Sequence, residues 1–448
     1  MNAIRPLAMD ETQLEAVVTQ ALEEAGRAGA TAAEAVVSID NGLAVAVRLG
    51  EVETLEYHRD KGLGLTLYFG QRKGNASTAD FRPEAVREAV AAAAAIARHT
   101  AEDPYSGLAD AERMARGYPD LDLDHPWALE PEAAIELARS CEDAARGVDQ
   151  RINNSEGASV NTYRGTVVYG NTHGFIGGYT GTRHSLSCSV VAEQDGGMQR
   201  DYWYTDSRHP AQLDSAEHVG HETARRTLRR LGARKLSTRQ APVVIEADLA
   251  RGFIGHFVGA IRGGALYRKS SFLLDQLGQS VFPSFMQIEE QPHLPGALGS
   301  SPFDGEGVAT TQRELVRDGV LQGYVLDSYS ARRLGMETTG NAGGVHNLTV
   351  KPGEHDLAGL LREMGTGLLV TELIGHGINM VTGDYSRGAA GFWVENGELC
   401  YPVEEITIAG NLKEMFQGVV AVGNDLDARG NIRTGSILLD RVTIAGES

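Results

Sequence analysis

The chain of 448 residues is predicted to be an α+β protein in two parts. Residues 1–235 are expected to form an antiparallel sheet with flanking helices. Residues 236–448 are expected to form a β-rich sandwich or barrel-like domain. Three observations carry this prediction. The length exceeds what one ordinary core holds. The apolar period switches between helical and strand spacing without strict β-α-β alternation. The 54 glycines imply many tight turns and close backbone approaches.

The first helix is expected over residues 11–28, where Leu14, Val17, Val18, Ala21 and Leu22 share one face. Two apolar runs, 35–39 and 43–47, flank Asn41-Gly42. That dipeptide predicts a two-residue hairpin, because both residues tolerate positive φ. Strands follow at 54–58 and 63–69. A helix begins at Pro83, a residue suited to a first helical turn, and runs to about 98. Residues 108–127 are Asp-rich with little periodicity, and a connecting loop is expected. A helix over 131–146 precedes strands and Gly-rich turns across 158–204, and a helix over 215–231 closes the first part. Residues 232–240 are polar and basic, as in a linker. The second part opens with a strand at 242–246 and a helix at 247–261. Short strands are expected at 321–326, 367–373, 391–395, 406–409, 419–422 and 436–439.

The formal net charge is −19, which disfavours nucleic-acid binding because the surface repels phosphates. Arg225, Arg226, Arg229 and Arg230 cluster on one predicted helix, as a solvated face or a partner contact. Cys141, Cys188 and Cys400 are dispersed and odd in number, so buried free thiols in a reducing compartment are expected. The N-terminal residues carry no apolar core of signal-peptide length. The longest apolar run, 89–97, is too short to span a bilayer. A soluble cytoplasmic protein is expected.

Candidate chemistry is sparse. Glu217, His218, His221 and Glu222 place imidazoles and carboxylates one helical turn apart. They suit a divalent ion, or a solvated face with i,i+4 pairs. Residues 384–388 (DYSRG) half-match a nucleophile elbow but lack its first glycine and the α/β setting. The Gly-rich segments 340–346 and 375–377 match no phosphate-loop pattern and suit turns. His346 and His376 in them are candidates for substrate contact. From the residues alone, no catalytic function is established.

The second half carries longer, ordered motifs. They are FDGEGV at 303–308, SYSAR at 328–332 and NAGGVHN at 341–347. The longest is TGDYSRGAAGFWVENG at 382–397, followed by EITIAGNL at 405–412 and VGND at 422–425. With these motifs the chain resembles the PmbA/TldE side of the TldD/TldE metallopeptidase family. The resemblance covers the whole chain and is more specific in its second half. It implies a heterodimeric protease that cleaves small or unfolded polypeptides, as in peptide-antibiotic maturation and antitoxin turnover. The TldD type carries H-E-x-x-x-H on a helix, with help from a cysteine near the C-terminus. Zinc there polarises the peptide carbonyl and activates water.

The equivalent helix here is residues 252–261 (GFIGHFVGAI). Gly255 and Ala260 fall on the two histidine positions and His256 on the glutamate. Thr434 or a neighbour falls on the cysteine. Glycine and alanine have no lone pair to donate, and one imidazole does not hold catalytic zinc. The resemblance therefore implies a subunit without its own zinc, inactive without a TldD-type partner that carries the metal. It is expected to complete the substrate cavity, with His256, His346, Asp384 and Arg387 as substrate or partner contacts. An extended peptide is expected to pair with strand edges near the Gly-rich segments. A homodimer is the default when the chain is alone. Two alternatives stand beside this reading. One is a self-sufficient metallopeptidase using His218, His221 and Glu222. The other is a non-catalytic binding protein that modulates a gyrase-toxin system.

Overall fold

The computed structural model describes residues 7 and 9–446. The leader-free N-terminus expected over residues 1–6 lies outside them. The first half begins with helix α1 (Glu11–Arg27), started by a capping box in which Asp10 and Gln13 satisfy each other's backbone amides. Strands β1 (Ala32–Arg48), β2 (Glu51–Phe69) and β3 (Arg72–Thr78) follow, then helices α2 (Pro83–His99) and α3 (Pro131–Arg146). Strands β4 (Asn154–Asn171), β5 (Ile176–Gln194) and β6 (Gly197–Ser207) and helix α4 (Ala216–Arg229) complete this half. The six strands make one antiparallel sheet in the order β3-β2-β1-β4-β5-β6.

The expected hairpin at Asn41-Gly42 does not form. β1 runs straight through both residues, with Asn41 opposite Arg59 on one side and Arg164 on the other. The reason is the phase of the apolar residues. Val37, Ile39, Leu43, Val45 and Val47 are all odd-numbered and all buried. A continuous strand puts them on one face, whereas a two-residue hairpin would send the two groups to opposite faces. Gly42 serves close approach instead of a turn. A Cβ there would lie 2.1 Å from the His58 ring and 2.4 Å from the Thr162 carbonyl oxygen. The strands expected at 54–58 and 63–69 are likewise a single strand, β2.

The apolar side of this sheet carries two clusters. One joins α1 and α2 to the β1–β2 end, around Leu14, Val37, Leu65 and Val90. The other joins α3 and α4 to the opposite end, around Leu43, Cys141, Leu186 and Val219. The opposite face of the sheet is uncovered by these helices. β3 pairs only with residues 63–69 of β2, so residues 51–62 form an open edge.

The second half starts with β7 (Arg239–Ile245), which takes in the end of the expected linker. Helices α5 (Ala247–Ala260) and α6 (Gly263–Tyr267) follow, then β8 (Ile288–Glu290), β9 (Arg313–Arg317), β10 (Val320–Leu321) and α7 (Ser328–Leu334). Next come β11 (Leu348–Val350), α8 (Leu357–Met364), β12 (Gly367–Ile374), β13 (Asp384–Glu395) and β14 (Glu398–Asn411). Helix α9 (Leu412–Gln417) and strands β15 (Val419–Val422), β16 (Ile432–Arg433) and β17 (Ile437–Ala445) end the chain. Five strands close on themselves as β7-β12-β13-β14-β17, because β14 also pairs with β17; β15 extends from β17. This is the expected barrel-like domain. A second, five-stranded sheet (β10-β9-β8-β11-β16) stands beside it. Inside, Phe253 and Phe257 of α5 meet Phe282 and Phe416 edge-on at 5.0–6.1 Å between ring centres.

The strand expected at 321–326 stops at Leu321. Val325 bonds instead to Ile261 and Gly263 after the end of α5. Cys141 and Cys188 are buried as expected, but Cys400 is exposed. Among the described residues, no helix is long and apolar enough to cross a membrane.

Candidate functional site

The two halves enclose a cavity of about 770 Å³. One wall is the uncovered face of the first sheet, with Val36, Val167, Tyr169 and Tyr179. The other wall is built from Arg251 and Gly252 of α5 and from three loops, 298–305, 342–346 and 429–432.

Buried polar side chains shape these loops. Asp304 is 3% exposed and its carboxylate accepts from the amides of Glu306, Val308 and Ala342, each at 2.9 Å. One acid thus ties two loops of this wall together. Asn347 accepts from Gly299 N at 2.9 Å and donates to Ser300 Oγ at 2.7 Å. Glu290 accepts from Asn341 Nδ2, His346 N and Arg313 Nε at 2.7–2.8 Å. A charge-assisted network of this kind leaves the loops few alternative arrangements. The motifs at 303–308 and 341–347 therefore act as scaffolding for the cavity.

His346 is in the cavity lining, and its Nε2 lies 3.3 Å from Gly340 O. His256, Asp384 and Arg387 lie outside the lining. The structure does bring His256 and Arg387 together. His256 packs edge-on to Tyr385 at 5.9 Å, and Arg387 follows two residues along β13. Burial, with the Arg387 guanidinium adding to it, pushes the His256 imidazole down to about 4, so it is neutral at physiological pH. Arg387 donates to Leu373 O at 3.2 Å. Asp384 is exposed and accepts from Thr382 Oγ1 at 2.6 Å and Asn411 Nδ2 at 3.3 Å, which fixes a turn. His376 is exposed in the loop that follows β12.

The positions aligned with zinc ligands do not fit a metal. Gly255 is half-buried, and a Cβ there would meet only Ile432 Cδ1, at 3.8 Å. Ala260 is fully buried on the core side. Five residues of regular helix separate the two directions by about 140°. Thr434 is fully buried, and its hydroxyl donates to the Gly435 carbonyl. Among the described residues, no group of three or more His, Cys, Asp or Glu side chains is placed to hold an ion. His218 and His221 are exposed on α4, and Glu222 is bidentate to Arg225 at 2.5–2.7 Å. Residues 384–388 run along the regular strand β13, without an elbow.

Three of the four clustered arginines are not on a solvated face; only Arg225 is exposed. Arg226 is 3% exposed and lies 3.2–3.6 Å from Asp201, Glu246 and Asp248. Arg229 reaches Glu246 at 3.5 Å, and Arg230 reaches Asp201 and Glu372. These pairs join α4 to the start of α5 and to β12. Arg226, Arg229 and Arg230 each reach an acid of the other half, which helical spacing does not reveal, whereas Arg225 pairs with Glu222 of its own helix. Arg208 and Arg251 in the cavity were also missed, because neither has a local sequence signal. Asp304 and Asn347 were visible only as members of the family-like motifs.

Comparison with known proteins agrees with this geometry. Residues 33–97, 124–231 and 238–446 match the models for domain 1, the central domain and the C-terminal domain of the PmbA/TldA metallopeptidases. The chain is 51% identical over 447 residues to Metalloprotease PmbA of Escherichia coli O157:H7, covering 100% of this chain and 99% of the relative. It is also 51% identical over 446 residues to a Metalloprotease PmbA homolog of Haemophilus influenzae, covering 99% of each. A Metalloprotease TldD homolog of that same organism is 23% identical over 402 residues, covering 84% of this chain and 83% of the relative. A crystal structure from Bacteroides thetaiotaomicron, named for modulation of DNA gyrase, superimposes with a TM-score of 0.93 at 30% identity, covering 98% of this chain and 100% of that one. With this identity along the full length, and with the family's motifs forming the walls of its cavity, the chain belongs to the PmbA/TldE family of metallopeptidases.

Proposed function

We propose that this chain is the subunit of a TldD/TldE-type heterodimeric metalloprotease that binds no zinc and helps form the chamber in which small or unfolded polypeptides are cleaved. One observation carries the reading. The partly exposed side of α5 presents Gly252, Gly255, His256 and Gly259, so the helix offers one neutral imidazole where a zinc site needs three or four ligands. Packing does not demand glycine at 255, since the nearest atom to an added Cβ is 3.8 Å away. The cavity, at about 770 Å³, suits several residues of extended peptide. The open edge of β2 offers unpaired main-chain groups of the sort that bind peptides without regard to sequence. That Haemophilus influenzae has relatives of both the PmbA and the TldD type supports a TldD-type partner. Zinc belongs to that partner in this reading, and the complex is cytoplasmic.

The test is metal analysis and casein hydrolysis, with and without a co-expressed TldD-type protein. The chain alone should hold under 0.1 zinc per molecule, roughly the background of an absent site, and leave casein intact. The mixture should cleave it. Stoichiometric zinc together with proteolysis by the pure chain would overturn the reading. The gyrase name of the structural relative motivates a binding role, but a net charge of −19 disfavours direct contact with DNA.

A further inference from the structure

The cavity wall is cationic in a chain that is strongly anionic overall. Four arginines line it, Arg183, Arg208, Arg251 and Arg429, against one acid, Asp304. Asp304 is already engaged by three backbone amides. Arg183 is paired with Asp206 at 2.6 Å, and Arg429 with Asp427 at 3.0 Å. Arg208 and Arg251 are different. Among the described residues, neither has a carboxylate within ion-pair distance.

Carbonyl oxygens rather than ion pairs hold them in place, and Asp206 and Asp427 act on them only beyond ion-pair distance. Arg208 donates to three carbonyl oxygens, Ala297 and Leu298 at 3.0 Å and Thr182 at 3.2 Å. That leaves two of its five N–H groups. Arg251 donates to Arg429 O at 3.2 Å and lies 5.9 Å from the Tyr204 ring, which Arg429 shares at 4.3 Å. Four of its N–H groups remain. Two guanidinium groups around one ring repel each other, and of the two only Arg429 is ion-paired with Asp427, whose charge reaches Arg251 from farther away. Carbonyl dipoles fix a guanidinium in orientation but leave its net charge available to an anion.

We infer that Arg251 and Arg208 form an anion subsite in the cavity that takes a carboxylate of a bound peptide, either its C-terminus or an acidic side chain. The inference rests on the peptide-chamber reading and adds the substrate class. A planar fork meets a carboxylate with two parallel bonds, a preference that a lysine or a backbone amide does not reproduce. Within a chain of charge −19, a local cationic recess also concentrates anionic substrate at the cleft.

The test is direct binding to the full chain by fluorescence anisotropy. The probe is a fluorescein-labelled unstructured hexapeptide of Ala and Ser in four forms. These are a free C-terminus, an amidated C-terminus, an amidated form with one internal Glu, and the same with Gln. At least one carboxylate form should bind about tenfold tighter than its neutral counterpart. That difference should shrink between low and 0.5 M salt. Arg251→Gln should remove the discrimination, and Arg251→Lys should retain part of it. An unchanged melting temperature in both variants keeps the comparison valid. Preference for the free C-terminus assigns the subsite to chain ends; preference for the Glu form assigns it to acidic side chains. Equal affinity for charged and neutral peptides, no binding of any peptide, or discrimination surviving Arg251→Gln would overturn the inference. Partner-dependent casein cleavage read on the same preparation shows separately whether the chamber reading stands.

Discussion

Glu306 is a largely buried carboxyl that accepts from Ser328 N at 3.0 Å and has no cation within ion-pair distance among the described residues. Burial pushes it up to about 7, against the Ser328 bonds, and the nearby Asp304 and Asp327 push the same way. The unfolded chain releases this proton near 4.5, while the native chain keeps it until about 7. Between those values the native state binds more protons, so stability falls as pH rises through that window. Glu306→Gln should remove roughly 2–3 kcal/mol of this loss. Urea midpoints at pH 5 and pH 8 check it: the wild type should drop more than the variant, and parallel drops would refute the assignment. His256 works in the opposite direction. Its depressed value means that protonation below about 6.5 favours the unfolded chain.

At the scale of elements, the segment between α2 and α3 does more than connect. Met114 pairs with Val308, Ala115 N donates to Gly307 O, and Ala309 N donates to Arg113 O, the last two at 2.9 Å. Arg332 of α7 donates to the carbonyls of Tyr105, Gly107 and Leu108. Tyr329 donates to Asp103 at 2.8 Å. A stretch with almost no secondary structure is thus strapped to the second half, where it supports the loop that carries Asp304. Each lost bond of this kind is worth about 1 kcal/mol. Arg332→Met should therefore raise hydrogen exchange of residues 103–110 by about tenfold or more, leaving the β1–β4 core unchanged. Mass-spectrometric exchange reads this directly, and an unaltered rate in 103–110 would show that the strap is held elsewhere.

Across the whole molecule, the buried arginine network fixes how the two halves meet, and so the shape of the cavity between them. Arg226 stacks on Trp203 at 4.9 Å while it neutralises acids from both halves. Arg226→Met would leave Asp201, Glu246 and Asp248 buried with less compensation. A loss of about 3–5 kcal/mol is expected. Asp248 is already raised to about 6, mainly by burial with Glu246 adding to it. Its protonation should relieve the variant in acid, so the loss should be smaller at pH 5 than at pH 8. Calorimetry at both pH values checks the size and the trend; a loss under about 1 kcal/mol at pH 8 would mean that the network contributes little to the docking of the halves.

Much of the architecture was legible in the chain itself. Helices α1 to α5, the period of the strands and the division into a helix-backed sheet and a barrel-like domain follow from local periodicity, which is a property of neighbouring residues. The continuity of β1 was also readable, because the odd-numbered apolar phase crosses Asn41-Gly42 unbroken; the turn signal of that dipeptide masked it. The lack of donor atoms at Gly255 and Ala260 is likewise a matter of residue identity. Only the tertiary structure showed that Arg226 is buried among acids, that among the described residues Arg208 and Arg251 have none within ion-pair distance, and that residues 101–127 form a strap. A charge's environment is set by partners far away in sequence, Asp201 or Leu298 as much as any neighbour, and no local pattern encodes which of them folding brings within 4 Å.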